Sequence, residues 1–391
     1  MVVEAYLKVQ SWIESVFLGL ANHRTWLLRG VLLAIALSLA ISFPRISYFT
    51  GNDEQIVPIW PFIKAQSAAP LTMHLDALGG DQASHLAKRA FRLTLPLIMG
   101  GLHLGWQGML ALQAVLGVLM LYAVGRLAME LFGSPVIALA SVFGIAFIPA
   151  GKAAFLQLGG MGDAFAFAFL TFAVVSRSNL VIFACILAAC FTDERGLVAA
   201  PLVGLYWAYR GEQEVRFLNG KSLAVLAAVI VAILLRVYLQ FFHGLHVPTG
   251  TAADLGPALI GRMLPSLPST FLHALGGMWL WPLIGLLLFV RYRQWLALVV
   301  SCGAMLALCA GSVMVIDTDR TLAYMLPLVY IGMAVAARYQ LPLAEAKATA
   351  IGALIISFLF PANNLFSGDS RYWPGNILPV ELVRFYRHAS L

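Results

Sequence analysis

The chain is predicted to fold as an all-α bundle of membrane helices, polytopic and without strands, and two features of the sequence carry that expectation. Hydrophobic residues make up 61% of it and charged ones only 11%, with a mean hydropathy of +0.86, so the polar skin that a water-soluble domain needs is missing. Apolar stretches also recur from residue 26 to residue 360 without a long polar insert. A single transmembrane domain over residues 1–391 is therefore expected, with no separate soluble domain.

Residues 1–25 come first. Val9, Ile13, Val16, Phe17 and Leu20 fall at helical spacing, in a segment too long and too mixed in charge for the leading region of a cleaved signal. An amphipathic helix on the cytoplasmic surface is the expectation. A crossing helix needs about 20 apolar residues. On that measure spans fall near 26–43, 106–124, 134–149, 163–176, 180–192, 196–209, 222–242, 273–290, 295–315, 321–337 and 348–360, about eleven in all. With the N-terminus inside, the short inner connections hold Arg126, Arg177, Arg210, Arg216, Lys221, Arg291, Arg293, Arg338 and Lys347, and the short outer ones only Lys152, Arg195 and Arg320. Positive residues gather on the inner side of membrane proteins, so the orientation follows.

Three outer segments have useful length. Residues 44–105 contain "HLDALGGDQASHLAKRAFRLTLP", where interfacial helices are expected. Residues 243–272 read as a Pro- and Gly-broken loop with one short helix. The tail, 361–391, is expected to cover the outer face. Spans 180–192 and 196–209 are shorter than a crossing and are joined by "TDER", Thr192 to Arg195. Irregular polar backbone at depth survives only beside protein or water, which points to a wet cavity open to the outside. Every aspartate falls on that outer side in this threading, although Asp also favours the turns that long loops contain.

The formal charge of +7 suits anionic membrane lipid. Nucleic acid is not an expected partner, because no basic run alternates with aromatics. The four cysteines lie inside apolar runs and form no C-x-x-C pair, so neither a disulfide nor a thiolate metal site is indicated.

Acidic and basic residues supply the candidate chemistry. Asp53 and Glu54 are adjacent just after the first span, in "FTGNDEQIVPIW". A carboxylate beside a low-dielectric wall gains basicity, as a general base requires; "GND" is equally a turn and capping sequence. Lys152, Arg195, Arg236 and Arg320 lie at or just below the outer boundary. Arg236 stands inside a span, where a charge costs about 2.5–3.5 kcal/mol, so it should face a cavity, pair, or snorkel outward. Asp317, Asp319 and Arg320 open a later span in "VIDTDRTLAYMLPLV", where Arg320 could fork onto a phosphate or the acid and base could cap the helix. Asp163 in "LGGMGDAFAF" also opens a span, with capping as its alternative. Asp193 and Glu194 complete the set through "TDER". Asp81 with His85, and His243 with His246, have helical spacing, but neither pair has a third ligand at diagnostic spacing. No residue is assigned to metal, and a divalent cation is left open as a cofactor. No P-loop, dinucleotide fingerprint, G-x-S-x-G or H-E-x-x-H occurs.

In layout these residues resemble the membrane-embedded glycosyltransferases of the GT-C superfamily. "NDEQIVPIWPFIKAQ" is similar to the acidic pair and amphipathic segment of their first outer loop, and "RAFRLTLPLIMGGLHLG" to the basic, proline-containing approach to their second span. "FTDERGLVAAPLVGLYW" resembles their small paired helices, and "DTDRTLAYMLPLV" a late span with an outer Asp/Arg cluster. The resemblance implies a polyprenyl-phosphate sugar donor and a glycan, lipid or protein acceptor. It implies Asp53 as base with Glu54 beside it, donor phosphate held by Lys152, Arg195 and Arg320, and a bacterial inner (plasma) membrane with the site on its outer side. Those enzymes often carry a soluble outer domain, in whose place this chain has a tail of about 30 residues. Two other classes stay open: a multi-pass transporter, which would place charges and broken helices near the midplane, and a non-catalytic membrane subunit of glycan or lipid assembly.

Overall fold

The computed structural model describes residues 2–43, 59–72, 89–210, 215–245, 256–315, 318–361 and 377–389, and among them there is no strand. Helix α1 (Val2–Ala21) is the expected amphipathic element. It is docked on protein through Ile13 and Phe17, which are buried, while Val9 and Val16 stay exposed. Phe17 meets Phe143 with ring centroids 5.4 Å apart, and the Tyr6 hydroxyl donates to the Ala348 carbonyl.

The apolar stretches form helices at the places expected of them: α2 (Trp26–Ile41), α5 (Trp106–Phe132), α6 (Pro135–Ala146), α8 (Asp163–Val175), α9 (Asn179–Thr192), α10 (Arg195–Tyr209) and α11 (Gly220–His243). They continue with α12 (Ile260–Arg291), α13 (Trp295–Val313), α14 (Thr318–Arg338) and α15 (Leu343–Leu359). Between them lie the shorter α3 (Ile59–Ala68), α4 (Thr94–Gly101) and α7 (Pro149–Leu156), and α16 (Leu378–Ala389) follows.

A count of about eleven spans is not supported. Among the described residues five helices, α5, α11, α12, α13 and α14, are long and apolar enough to cross a membrane; α6 and α7, bent by 61°, make six if taken as one span. The physical reason is length. Helices of 13, 14 and 15 residues, as in α8, α9 and α10, reach only about 20 Å against a hydrocarbon layer of about 30 Å.

Burial sorts centre from rim. The most apolar window of α14 is 94% buried, against 33% for α11 and 28% for α13. Helix α14 therefore sits in the middle of the bundle, although its mean hydropathy of 1.4 is the lowest of the five, because it carries Asp319, Arg320 and Arg338. Its Pro327 crowds the carbonyl four residues back, and there, over Ala323–Met325, the helix tightens to a 3-10 turn. Leu33, Leu37, Ile233, Leu234, Val299 and Leu306 instead stay exposed on α2, α11 and α13, as lipid-facing positions would.

Two of the apolar helices touch through glycine. A Cβ on Gly332 of α14 would stand 2.1 Å from the Trp281 carbonyl oxygen, and one on Gly285 of α12 would stand 3.0 Å from Gly332 Cα. Such backbone contact is how membrane helices gain dispersion energy. Gly332→Ala is expected to destabilise the fold by about 1–3 kcal/mol through overpacking, read as a lower thermal midpoint in detergent; an unchanged midpoint would mean that α12 and α14 cross more loosely.

Candidate functional site

Short helices and long ones meet at one end of the bundle. Arg236 lies 7 residues before the end of α11, and its Nη2 donates to the Cys190 carbonyl near the end of α9, at 2.7 Å. Gln113 lies 7 residues into α5, and its amide donates to the carbonyls of Ala153, Ala154 and Gln157. Both long helices thus run about 10 Å past the ends of the shorter elements they grip. A buried cluster of charges lies there.

Asp163, the first residue of α8, is fully buried. Its Oδ1 accepts from Arg195 Nη2 at 3.3 Å and the Tyr324 hydroxyl at 3.2 Å; its Oδ2 accepts from Arg320 Nε at 2.6 Å and Gln157 Nε2 at 2.9 Å. Four donors use the roughly four acceptor positions of a carboxylate. The helix N-terminus behind it favours the same negative charge.

Asp193 joins α9 to α10. Its Oδ1 accepts from the Arg195 backbone N–H at 3.0 Å, and its two oxygens take the Arg195 Nε and Nη2 as a fork at 2.5 and 2.6 Å. Arg92 Nη1 lies 2.9 Å from Asp193 Oδ2, and Arg92 makes a second fork, through Nε and Nη2, onto Glu194 at 3.2 and 2.7 Å. Planar guanidinium–carboxylate pairs of this kind are the strongest hydrogen bonds in the protein repertoire. Burial opposes charge on Arg92, but Asp193 and Glu194 outweigh it and hold the guanidinium above its ordinary range. Arg195 also reaches Thr321 Oγ1 at 3.1 Å and lies 5.0 Å from the Tyr324 ring centroid. Outward from Asp163 the cluster becomes wetter: the Glu194 side chain is 47% exposed.

Arg89 is the exception. It is 4% exposed, yet its guanidinium donates only to the carbonyls of Gly160 at 2.7 Å and Met161 at 3.1 Å and to the Met161 sulfur at 3.5 Å. No carboxylate among the described residues pairs with it. Burial, and then the charges of Arg92 and Arg320, push its pKa below the ordinary value. The carbonyls that hold it are turned toward it by a left-handed turn: Gly160 has φ 76° and Gly162 φ 91°, conformations that cost a side-chain-bearing residue about 1 kcal/mol or more. Helix α3 braces this turn. Trp60 Nε1 donates to the Leu158 carbonyl and Gln66 Nε2 to the Ala90 carbonyl.

Five of the residues singled out in the sequence, Asp163, Asp193, Glu194, Arg195 and Arg320, are thus brought into one bonded cluster. Arg236 flanks it, its guanidinium carbon 5.5 Å from the Phe91 ring centroid and 5.6 Å from that of Phe191; it turns into the bundle to meet a helix-end carbonyl. Asp319 is buried beside Arg320. Lys152, on α7, is buried with its ammonium 2.7 Å from Ser42 Oγ, just past α2. Asp53, Glu54 and Asp317 lie outside the described residues, as do Asp81, His85 and His246. Among the described residues no three His, Cys, Asp or Glu side chains are grouped as a metal site would need.

Sequence reasoning missed Arg89, Arg92, Gln157 and Tyr324. The first two stand in "AKRAFRLTLP", where interfacial helices were expected. Residues 89–91 form a buried turn instead, because the guanidiniums are drawn into the bundle by Asp193, Glu194 and the Gly160 and Met161 carbonyls. Two arginines three apart, each followed by an apolar residue, were the available signal. Compared with models of known families, with curated proteins and with solved structures, the chain matches none. The functional reading therefore rests on the chemistry of the site.

Proposed function

We propose that the chain is a membrane-embedded glycosyltransferase of GT-C layout that moves a sugar from a polyprenyl-phosphate donor to an acceptor at the outer face of a bacterial inner membrane. In this reading the N-terminus is cytoplasmic, and the short helices are packed among the five or six longer ones that cross the bilayer. The donor keeps its tail in lipid and brings its phosphate to the charge cluster.

The observation that carries the reading is Arg89: a buried cation, held by carbonyls and a thioether, in a cluster where the bonded carboxylates are already engaged by Arg92, Arg195 and Arg320. An uncompensated buried charge is costly, and a phosphate anion would offset it. Asp163 and Asp193 are then positioning residues that fix the forks, and the arginines are the groups that meet phosphate. Gln157 adds an acceptor suited to a sugar hydroxyl, since its Oε1 is buried and without a partner among the described residues.

The reaction follows from those charges. Asp53, with Glu54 beside it, takes the proton of the acceptor hydroxyl while that oxygen attacks the anomeric carbon. The bond from that carbon to the phosphate oxygen breaks, and its electron pair leaves with the polyprenyl phosphate, which changes from diester monoanion to monoester. Fixed guanidiniums stabilise the charge as it grows, more in the transition state than in the ground state. A single displacement inverts the anomeric centre.

The test is transfer from a labelled polyprenyl-phosphate sugar by the purified chain in lipid nanodiscs, with the anomer of the product identified. Asp53→Asn is expected to lose about 10²–10⁴-fold in turnover while keeping the wild-type unfolding temperature. Retained turnover in Asp53→Asn, or retention of the donor's anomeric configuration, would remove this mechanism. Uptake of a solute by proteoliposomes with no transfer would favour a transporter.

A further inference from the structure

A charged recess lies at the end of α10 opposite the cluster. Arg195 begins α10 in the cluster, and Arg210 follows its last residue, about 22 Å away. There a cavity of about 480 Å³ is lined by Arg177, Arg210, Lys221, Arg338, Tyr206 and one carboxylate, Glu130, among other residues. A neighbouring hollow of about 380 Å³ shares Arg210 and Lys221 and adds Arg216.

Among the described residues four cations against one carboxylate leave positive charge over. Glu130 is already shared, with Arg210 Nη2 at 2.6 Å and Arg177 Nη2 at 3.0 Å. Lys221 has no carboxylate partner among the described residues; its ammonium lies 3.6 Å from the Trp207 ring centroid, an attraction of about 0.5–2 kcal/mol that leaves its N–H donors unused. Tyr206 gives an independent sign. It is fully buried, it contributes to the cavity wall, and its hydroxyl has no hydrogen-bond partner among the described residues. A buried hydroxyl without a partner costs about 1–3 kcal/mol. A basic residue placed only to orient the chain in a membrane would need neither a cavity nor this orphan donor.

We propose that this recess binds a phosphate ester anion, with Lys221 as the central point charge, Arg177 and Arg210 as forks shared with Glu130, and Tyr206 as a hydroxyl donor. Arginine forks and a lysine ammonium match the tetrahedral oxygens of phosphate. The volume exceeds that of phosphate alone and falls in the range of about 300–1,000 Å³ usual for small-molecule sites, so the esterified group enters as well. Leu180 and Leu218, 75% and 77% exposed, stand beside Asn179 and Asn219 at the rim of the smaller hollow. They suit the headgroup of an anionic phospholipid whose tails stay in the bilayer; a soluble phosphate ester has the same head chemistry. The site is independent of the sugar-transfer reading.

Thermal unfolding of the full chain in neutral detergent separates the two sources, with phosphatidylglycerol, phosphatidylcholine and glycerol 3-phosphate added in turn. Stabilisation by phosphatidylglycerol alone assigns a lipid headgroup, and stabilisation by glycerol 3-phosphate assigns a soluble ester. In either case Lys221→Gln is expected to weaken the apparent affinity at least about tenfold, with Lys221→Arg restoring most of it. Tyr206→Phe, which keeps the packing, is expected to weaken it about 2- to 10-fold; it decides the matter should Lys221→Gln fail to fold. An equal shift with phosphatidylcholine, no shift with either phosphate compound, or affinities unchanged in the variants that fold would overturn the proposal.

Discussion

Asp163→Asn is expected to cost the folded chain about 3–5 kcal/mol, the penalty for leaving a buried ion pair without one partner. The carboxylate accepts from Arg195, Arg320, Tyr324 and Gln157 with no exposure of its own. An asparagine presents one acceptor oxygen and an NH₂ group that must point toward a guanidinium or toward Gln157. Two arginines would lose their shared counter-charge while remaining buried. The measurement is the thermal midpoint of the purified chain in detergent, compared with that of Glu194→Gln. Glu194 is exposed, and its loss should cost about 1 kcal/mol or less. Equal effects from the two substitutions would mean that water enters the cluster freely and that Asp163 is not its anchor.

Arg89→Gln should behave in the opposite way. Its guanidinium has carbonyl and sulfur partners but no carboxylate among the described residues, so removing the charge relieves a buried cation at the cost of ordinary hydrogen bonds. Stability is expected to change little or to rise. If the cation stabilises charge that builds on a departing phosphate, turnover should fall about 10²–10³-fold, the scale for removing one donor aimed at a transition-state anion. The loss should appear in kcat more than in KM. Arg89→Lys should recover part of it, because the charge returns without the fork. A variant with lower stability and unchanged turnover would make Arg89 a brace for the Gly160–Gly162 turn and nothing more.

The charged loops divided sharply in how well they could be read. "TDER" stood out because two short apolar runs flank it, and Asp193, Glu194 and Arg195 do fall in the cluster. Arg89 and Arg92 did not stand out: "AKRAF" carries its cations at a spacing that an interfacial helix would also have, and nothing local says that their partners are more than 60 residues away. Tyr324 was hidden in another way. In "RTLAYMLPLV" it looks like one more core aromatic, and only its contact with Asp163 makes it polar machinery. The number of spans failed for a related reason, since apolar composition reports burial and does not tell lipid from protein as the burying medium.

Composition and periodicity by themselves determined that this is a helical membrane protein, where nearly every helix lies, and that acids and bases gather at particular helix ends. Those are local properties: a run of apolar residues must leave water, and a charge within it must find a partner. Tertiary structure alone decided which charges meet, that α14 is the centre, and that Arg89 has no carboxylate partner among the described residues. Such facts depend on contacts between segments far apart in the chain, whose energies exist only after the helices have packed.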